Sequence, residues 1–172
     1  MEEGEIDMAG TVGKTAERGV FLHFMEPTYA KVPDQVFYLL NNSKTDIRRY
    51  EDLHQLNAIG VERGARVSLR FDQDAELSKD DVSTLNQLFL MLDQNRLDAF
   101  VGNEMVTDYL IKEMGLQERF KKARFRFTSG GSEYLAISKK SPHVKRIEEI
   151  SDIINEMKLD GTIQKYIQRY TK

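Results

Sequence analysis

The sequence predicts an α/β protein with mostly parallel sheets, and three observations favour that class. Short apolar runs that suit strands alternate along the chain with runs whose apolar residues recur at helical spacing. Two of the strand-like runs, residues 35–40 and 58–61, are apolar apart from Gln35 and predict buried strands. In residues 85–94 the leucines and Phe89 recur at intervals of three and four, which predicts an amphipathic helix.

The remaining elements of residues 1–122 follow from turn signals and local patterns. Strand character is predicted for residues 6–12, and a short turn or helix carries Arg18. Asp98 begins the strand 98–101 and is expected to fix the turn before that strand. Gly115 is expected to end the helix 104–114. The other expected elements are a turn at 41–44, a short helix at 50–56, a helix from about 65 to 72, a strand at 81–84 with a Ser or Thr helix cap, and a helix at 104–114.

The C-terminal part predicts two strands followed by two helices. Residues 123–127 alternate Arg and Phe, which predicts a half-exposed strand, and residues 128–132 form the most flexible stretch. A strand is expected at 133–138, and Pro142 suits the first turn of a helix. The apolar stripes of the two helices are Ile147, Ile150, Ile154 and Met157, and then, after a break at Asp160-Gly161, Ile163, Tyr166, Ile167 and Tyr170.

Composition excludes several classes of protein. The chain has 172 residues with 31% charged residues and a net charge of −3, which argues against a general nucleic-acid binder. It lacks cysteine, so disulfides, thiol catalysis and thiolate metal sites are excluded. No stretch is long and apolar enough to predict a membrane-spanning helix. The three histidines are far apart in sequence, and we expect no metal site and no cofactor.

Small and hydroxyl residues near the N-terminus suggest a corner that receives an anion. Thr11, Gly13 and Thr15 follow the first strand, and Arg18 comes one turn later. Backbone N–H groups at a helix start and a planar guanidinium both suit a carboxylate. The plainer alternative is a strand, a turn and a surface arginine that pairs with a nearby glutamate.

Motifs along the whole chain resemble the family 3 solute-binding proteins of amino-acid ABC transporters. The resemblance rests on the order G-E-I-D, T-x-E-R and F-x-x-P-x-Y in residues 4–29, followed by Ile59-Gly60-Val61 with Gly64 and by Arg96-Leu97-Asp98-Ala99. It implies a two-lobed, type 2 periplasmic-binding-protein-like fold that closes on a small polar solute. The expected division is lobe 1 at 1–31, lobe 2 at 32–127, and a return to lobe 1 at 128–172.

The resemblance also implies which residues bind the solute. Arg18 matches the family's carboxylate-binding arginine, and Thr11, Gly13 and Thr15 match positions around it. In lobe 2 the family's hydroxyl pair is replaced by Ala65 and Arg66, where backbone amides or the second cation would serve. The family's ammonium-binding aspartate is replaced by Asn103, which is neutral, and Glu104 beside it is the alternative acceptor. These departures open the possibility of a ligand with more negative charge or without an amine.

The expected partners are a small amino acid or carboxylate and, by resemblance, an ABC permease in the periplasm, with no nucleic acid. Family members begin with a strand, a helix and a strand that this sequence lacks, so lobe 1 is expected to be incomplete in a fragment or a natural short form. Uncovered apolar surface would then favour a homodimer.

Three alternatives stay open: a sensor domain, a form that binds nothing and simply dimerises, and a dehydratase-like enzyme. We favour a binding protein over an enzyme, for which Glu17, Glu26 and Glu104 would be the candidate acids or bases.

Overall fold

The computed structural model describes residues 1–171, which form nine strands and five α-helices. They divide into two compact units. The first joins Met1–Val32 with Ser129–Tyr170, and the second is Pro33–Thr128. The assignment of these segments to the lobes of a binding protein stays a prediction.

The first unit is built around β9 (Ser132–Ser138), which lies at the centre of its sheet. Three N-terminal strands pair with β9, and all three are antiparallel to it: β1 (Met8–Gly13), β2 (Leu22–Phe24) and β3 (Ala30–Lys31). Two helices, α4 (Ile147–Leu159) and α5 (Thr162–Thr171), follow β9. The 3-10 helix Pro142–Arg146 precedes α4, with Pro142 in its first turn as the sequence predicts and the Ser141 side chain as its cap.

The core of the first unit is small. Met25, Ile137 and Ile154 are buried, and half-buried side chains including Ile147, Ile150 and Ile163 surround them. The α4 stripe is therefore largely confirmed. In α5, however, the aromatic positions of the predicted stripe, Tyr166 and Tyr170, are about half exposed.

The second unit contains a five-stranded sheet in the order β6-β5-β7-β4-β8. Its strands are β4 (Gln35–Leu40), β5 (Ile59–Glu62), β6 (Lys79–Val82), β7 (Ala99–Asn103) and β8 (Phe120–Phe127). Its helices are α1 (Leu69–Gln73), α2 (Leu85–Asp93) and α3 (Glu104–Glu113), and a 3-10 helix covers Tyr50–Gln55.

Side chains of the second sheet alternate between two separate cores. Phe37 and Leu39 of β4 belong to one cluster, with Phe71 and Val101, and Val36 and Tyr38 belong to the other. Because period-two alternation sends neighbours to opposite faces, both faces of this sheet are covered. On the second face α2 approaches β5 so closely that a Cβ atom at Gly60 would lie 2.5 Å from Leu88 Cδ2 and from Leu97 Cδ1.

The predicted α/β class is confirmed, but the expectation of mostly parallel sheets is wrong. Only the pairs β5–β6 and β5–β7 are parallel among the strand pairs of residues 1–171, and the other five pairs are antiparallel. The physical reason lies in the connections. Strand and α-helix alternate from β5 to β8, and the two parallel pairs arise within that run, since a parallel pair needs such a crossover. In this sheet β4 lies between β7 and β8 and is antiparallel to both, and the strands of the first unit before β9 are joined without an α-helix.

Of two local predictions, the turn at Asp98 is confirmed and the helix start at residue 65 is wrong. Asp98 fixes the turn before β7 as expected, because its carboxylate accepts hydrogen bonds from the backbone N–H groups of Asn57 (2.6 Å) and Ala58 (3.3 Å). The helix predicted from residue 65 is wrong in its start. Residues 65–67 are not helical, and α1 begins only after Ser68, whose hydroxyl accepts from the N–H of Phe71.

Candidate functional site

A backbone irregularity in β1 lies within the segment that is predicted to receive an anion. The pairing of β1 with β9 shifts register between Ala9 and Val12, and Thr11 takes a φ of 55°. This bulge aims the N–H of Thr11 at the hydroxyl of Tyr29, which accepts its hydrogen bond at 2.7 Å. Bulges re-aim groups in this way near binding sites. The Thr11 hydroxyl itself donates to the carbonyl of Gly10, at 2.8 Å.

Arg18 is held at the end of this corner by its own neighbours. Its backbone N–H donates to the Thr15 hydroxyl at 3.2 Å, and its Nη1 donates to the Gly13 carbonyl at 3.0 Å. The side chain is exposed, and within residues 1–171 it forms no salt bridge. Arg18, Thr15 and Gly13 are therefore brought together, with most guanidinium donors left for another acceptor.

Two further residues border this corner, and one of them has no signal in the local sequence. Glu133 pairs in register with Gly13 across β1 and β9. Burial raises the pKa of the Glu133 carboxyl. Burial also raises the pKa of Tyr29, and the charge of Glu133 adds to that shift. Tyr29 belongs to the F-x-x-P-x-Y motif, so the sequence points to it. Glu133 has no such signal, and only the pairing of β1 with β9 places it beside Gly13.

In the second unit a pocket of about 500 Å³ brings Ala65 and Arg66 together. It opens where β5 ends and Gly64 turns the chain with a φ of 79°. Its charged lining residues are Glu62, Arg66, Asp72, Lys79 and Asp81. The Lys79 ammonium donates to the carbonyl of Phe71 at 2.9 Å, so part of its hydrogen-bonding capacity is used by the end of α1.

Asn103 and Glu104 do not line that pocket, and their side chains have partners of their own. The Asn103 side-chain oxygen accepts from the N–H of Val106 and caps α3. Glu104 accepts hydrogen bonds from Lys122 Nζ (2.8 Å) and from Arg126 Nη1 (3.2 Å). Glu104 is therefore already neutralised by two cations.

The electrostatics of this cluster oppose a role for Glu104 as a general acid. Burial alone would raise the pKa of its carboxyl, but the hydrogen bond and charge of Lys122, followed by those of Arg126, hold that pKa below its ordinary range. Tyr38, buried beneath, donates to Asp108 at 2.9 Å, and burial and the Asp108 charge raise its pKa. Of the other candidate acids, Glu26 pairs with Lys14 at 3.2 Å, and Glu17 is exposed.

The sequence over residues 1–172 matches the family model of bacterial extracellular solute-binding proteins, family 3. A search of curated protein sequences found no relative.

Similar solved structures include the second substrate-binding domain of a putative amino acid ABC transporter from Streptococcus pneumoniae, with a TM-score of 0.76 and 20% identity over 99% of this chain and 75% of that one. Another is substrate-binding domain 2 of Lactococcus lactis GlnP in an open conformation, with a TM-score of 0.72 and 17% identity over 99% and 72%.

A third similar structure is an amino acid ABC transporter substrate-binding protein from Streptococcus pneumoniae bound to L-arginine, with a TM-score of 0.69 and 20% identity over 99% of this chain and 70% of that one. At these identities the structures show the fold alone, and they confirm the expected type 2 class. The chain spans about three-quarters of the length of the first structure.

Proposed function

Because the chain belongs to the bacterial extracellular solute-binding proteins of family 3, we propose that it binds an amino acid or a related carboxylate and delivers it to an ABC permease. The structures that resemble it are described as substrate-binding domains of amino acid transporters, and one of them is bound to L-arginine. Both facts support a solute of this class for the present chain.

The observation that carries the proposal is the state of Arg18. Its guanidinium is anchored by one hydrogen bond to the Gly13 carbonyl, and it forms no salt bridge with a carboxylate among residues 1–171. A carboxylate that accepts two of these donors would form a charge-assisted, bidentate pair. Thr15, which holds the backbone of Arg18, is then a positioning residue, and we assign Thr11 and Gly13 to the same carboxylate-binding corner of the first unit.

For the second unit we propose that the pocket beside Ala65 and Arg66 takes part in solute binding. Arg66 supplies positive charge where the family pattern has hydroxyl groups, and Glu62, Asp72 and Asp81 supply negative charge on the same wall. A pocket with both signs suits a polar, zwitterionic or doubly charged solute. We assign Asn103 to solute binding through its neutral side-chain amide. Glu104 would act on the solute only indirectly, because its carboxylate is paired with Lys122 and Arg126.

The test is a binding assay with each of the twenty amino acids, followed by titration calorimetry with the strongest binder. We expect Arg18→Gln to weaken that binding by about ten- to a hundredfold, since it removes a charge-assisted pair worth roughly 1.5–3 kcal/mol. Arg146→Gln is the matched control, because Arg146 forms only an exposed pair with Glu149. Unchanged affinity in Arg18→Gln would refute the assignment.

Two finer aspects belong to the same proposal. We place the protein in the periplasm, which the family's extracellular character supports. Within residues 1–171, none of the helices has the length and apolar character needed to span a membrane.

We also propose a homodimer formed through the first unit. The exposed side chains of Val20, Leu159 and Tyr166 support this, because apolar groups on a surface favour association. Sedimentation velocity over a range of concentrations tests it. Leu159→Glu should shift the protein towards monomer, and Leu90→Glu, at an exposed leucine of the second unit, should not. A wild-type protein that is monomeric at every concentration would contradict the dimer.

A further inference from the structure

Three side chains of metal-ligand type converge in the second unit, and none of them lines the pocket described above. His54 lies in the 3-10 helix Tyr50–Gln55, Asp74 directly follows α1, and Glu76 stands in the turn that leads to β6. His54 Nε2 is 3.2 Å from Asp74 Oδ2 and 3.8 Å from Glu76 Oε2. All three ligand atoms lie within 4.8 Å of one another. The sequence pattern predicted no metal site, because two separate elements supply these ligands.

The separations suit a small tetrahedral centre. With metal–ligand distances of about 2.0–2.2 Å, the ligand atoms of a tetrahedral zinc site lie about 3.3–3.6 Å apart. The two distances from His54 fall on either side of that interval, so small side-chain movements would bring the three atoms around one ion. Two carboxylates balance the charge of a divalent cation, and an imidazole nitrogen favours transition metals over calcium or magnesium.

Tyr50 contacts two of these ligands, Asp74 and His54, and orients their side chains. Its side chain is buried, its hydroxyl donates to Asp74 Oδ2 at 2.7 Å, and its ring meets the His54 ring edge to face at 5.7 Å. The backbone N–H of Glu76 donates to the other Asp74 oxygen at 3.0 Å. Outer hydrogen bonds of this kind fix the ligands of metal sites.

Arg70, a cation that contacts Tyr50, has a carboxylate partner of its own. The Arg70 guanidinium lies over the Tyr50 ring, 3.5 Å from its centroid, and donates to Glu51 Oε1 at 3.1 Å. Glu76 is largely exposed and Asp74 is mostly buried, so an ion would reach the site from solvent.

We propose that His54, Asp74 and Glu76 bind one divalent transition-metal ion, best fitted by Zn²⁺, with water completing the coordination and Tyr50 as a positioning residue. The bound ion would tie the 3-10 helix to the turn between α1 and β6. This site is independent of solute binding through Arg18. Its rival is a plain ion pair between a protonated imidazole and the two carboxylates, which would need no metal.

The test is calorimetric titration of Zn²⁺ into the full chain without an affinity tag, at neutral pH. We expect one equivalent to bind, and His54→Ala to weaken binding by at least about tenfold, because it removes the sole nitrogen ligand. His143→Ala is the matched control, since His143 is an exposed histidine of the first unit. Tyr50→Phe should keep the stoichiometry and weaken binding by about tenfold.

A second readout keeps the test decisive if a variant folds poorly. In the wild-type protein, Zn²⁺ should shift the imidazole nitrogen resonances of His54 and leave those of His143 in place. Zinc binding that survives His54→Ala unchanged would overturn the proposal. So would the absence of both binding heat and a His54 shift, which would leave the ion pair as the explanation of the cluster.

Discussion

The two units of this protein differ in how completely they bury their apolar side chains. Five of the buried apolar side chains lie in the first unit, namely Leu22, Met25, Ala136, Ile137 and Ile154, and all the others lie in the second. The first unit nevertheless holds most of the large apolar side chains that are exposed, among them Val20 at 75% and Leu159 at 80% exposure.

The difference follows from the sheets. The second unit covers both faces of its sheet, and an aromatic cluster around Phe37 and Phe71 fills one of them. The first unit organises three short strands around β9 and buries only a small cluster under α4. We infer that the second unit is the more stable of the two. The stability of the first unit, which carries Arg18, depends more on what binds to it.

The largest expected effect is the loss of an aromatic ring from the second unit. Phe37 is fully buried and contacts the rings of Phe71, Phe125 and Phe127. Phe37→Ala should lower the free energy of unfolding by about 3–5 kcal/mol, measured by urea denaturation. The matched change in the first unit is Phe24→Ala. Phe24 is half-buried and meets Tyr134, so we expect a loss of roughly 1 kcal/mol. Equal losses would break the comparison.

The next effect tests how closely α2 approaches the sheet. A Cβ atom added to Gly60 would lie 2.5 Å from two leucine methyl groups and 3.1 Å from Phe100 Cβ. Gly60→Ala should therefore cost about 1–3 kcal/mol of unfolding free energy through overpacking. Gly130→Ala is the control, because nothing lies within 4 Å of its added Cβ atom. Its thermal midpoint should stay close to that of the wild type.

A smaller effect separates structure from solute recognition at Asn103. Asn103→Ala removes the cap of α3 and should cost about 1 kcal/mol in chemical denaturation. Asn103→Asp keeps a capping oxygen and should leave stability nearly unchanged. If Asn103 also contacts the solute, the aspartate variant alters affinity without altering stability. A stability loss in Asn103→Asp as large as in Asn103→Ala would contradict the capping account.

The smallest effect is a pH dependence from the Glu104 cluster. The folded-state pKa of Glu104 lies below its ordinary range, so the carboxylate stabilises the folded state above that range, and this stabilisation is lost as pH falls through the folded pKa. Urea midpoints between neutral and acidic pH should therefore fall less steeply in Glu104→Gln than in the wild type. Glu118→Gln, at an exposed carboxylate, should keep the wild-type slope.

Lys122 has the opposite sign in the same cluster. Burial would lower its pKa, but the hydrogen bonds and charges of Asp108 and Glu104 raise it overall. Its contribution to stability is present below the ordinary lysine pKa and is lost as pH rises through the raised value. Stability that rises on the alkaline side would contradict this arrangement.

Most local structure could be predicted from sequence because its causes are local. The strand Gln35–Leu40, the capping of α2 by Thr84 and the break at Gly161 all follow from residue type and spacing. Strand direction could not be read in this way. It depends on which strands meet. The alternation of strands and helices predicted mostly parallel sheets, whereas only the pairs β5–β6 and β5–β7 are parallel among the described strands.

The residues of the candidate site also fall into two groups: those that local sequence predicts and those that only the fold brings together. Arg18, Thr15 and Gly13 are close in sequence, so their grouping could be predicted from local spacing. Glu133 could not be predicted, because only the pairing of β1 with β9 brings it to Gly13. Nor could the engagement of Glu104 with Lys122 and Arg126, since both cations come from β8.

The most direct test of the central claim is hydrogen–deuterium exchange of the wild-type protein with and without a saturating mixture of the twenty amino acids. The account predicts slower exchange with the mixture in residues 10–18 of the first unit and in residues 62–68 of the second. The decrease in exchange should be larger in the first unit, because its small core leaves its backbone amides less protected before the solute binds. Exchange that is unchanged in both segments would contradict solute binding through Arg18 and the Arg66 pocket.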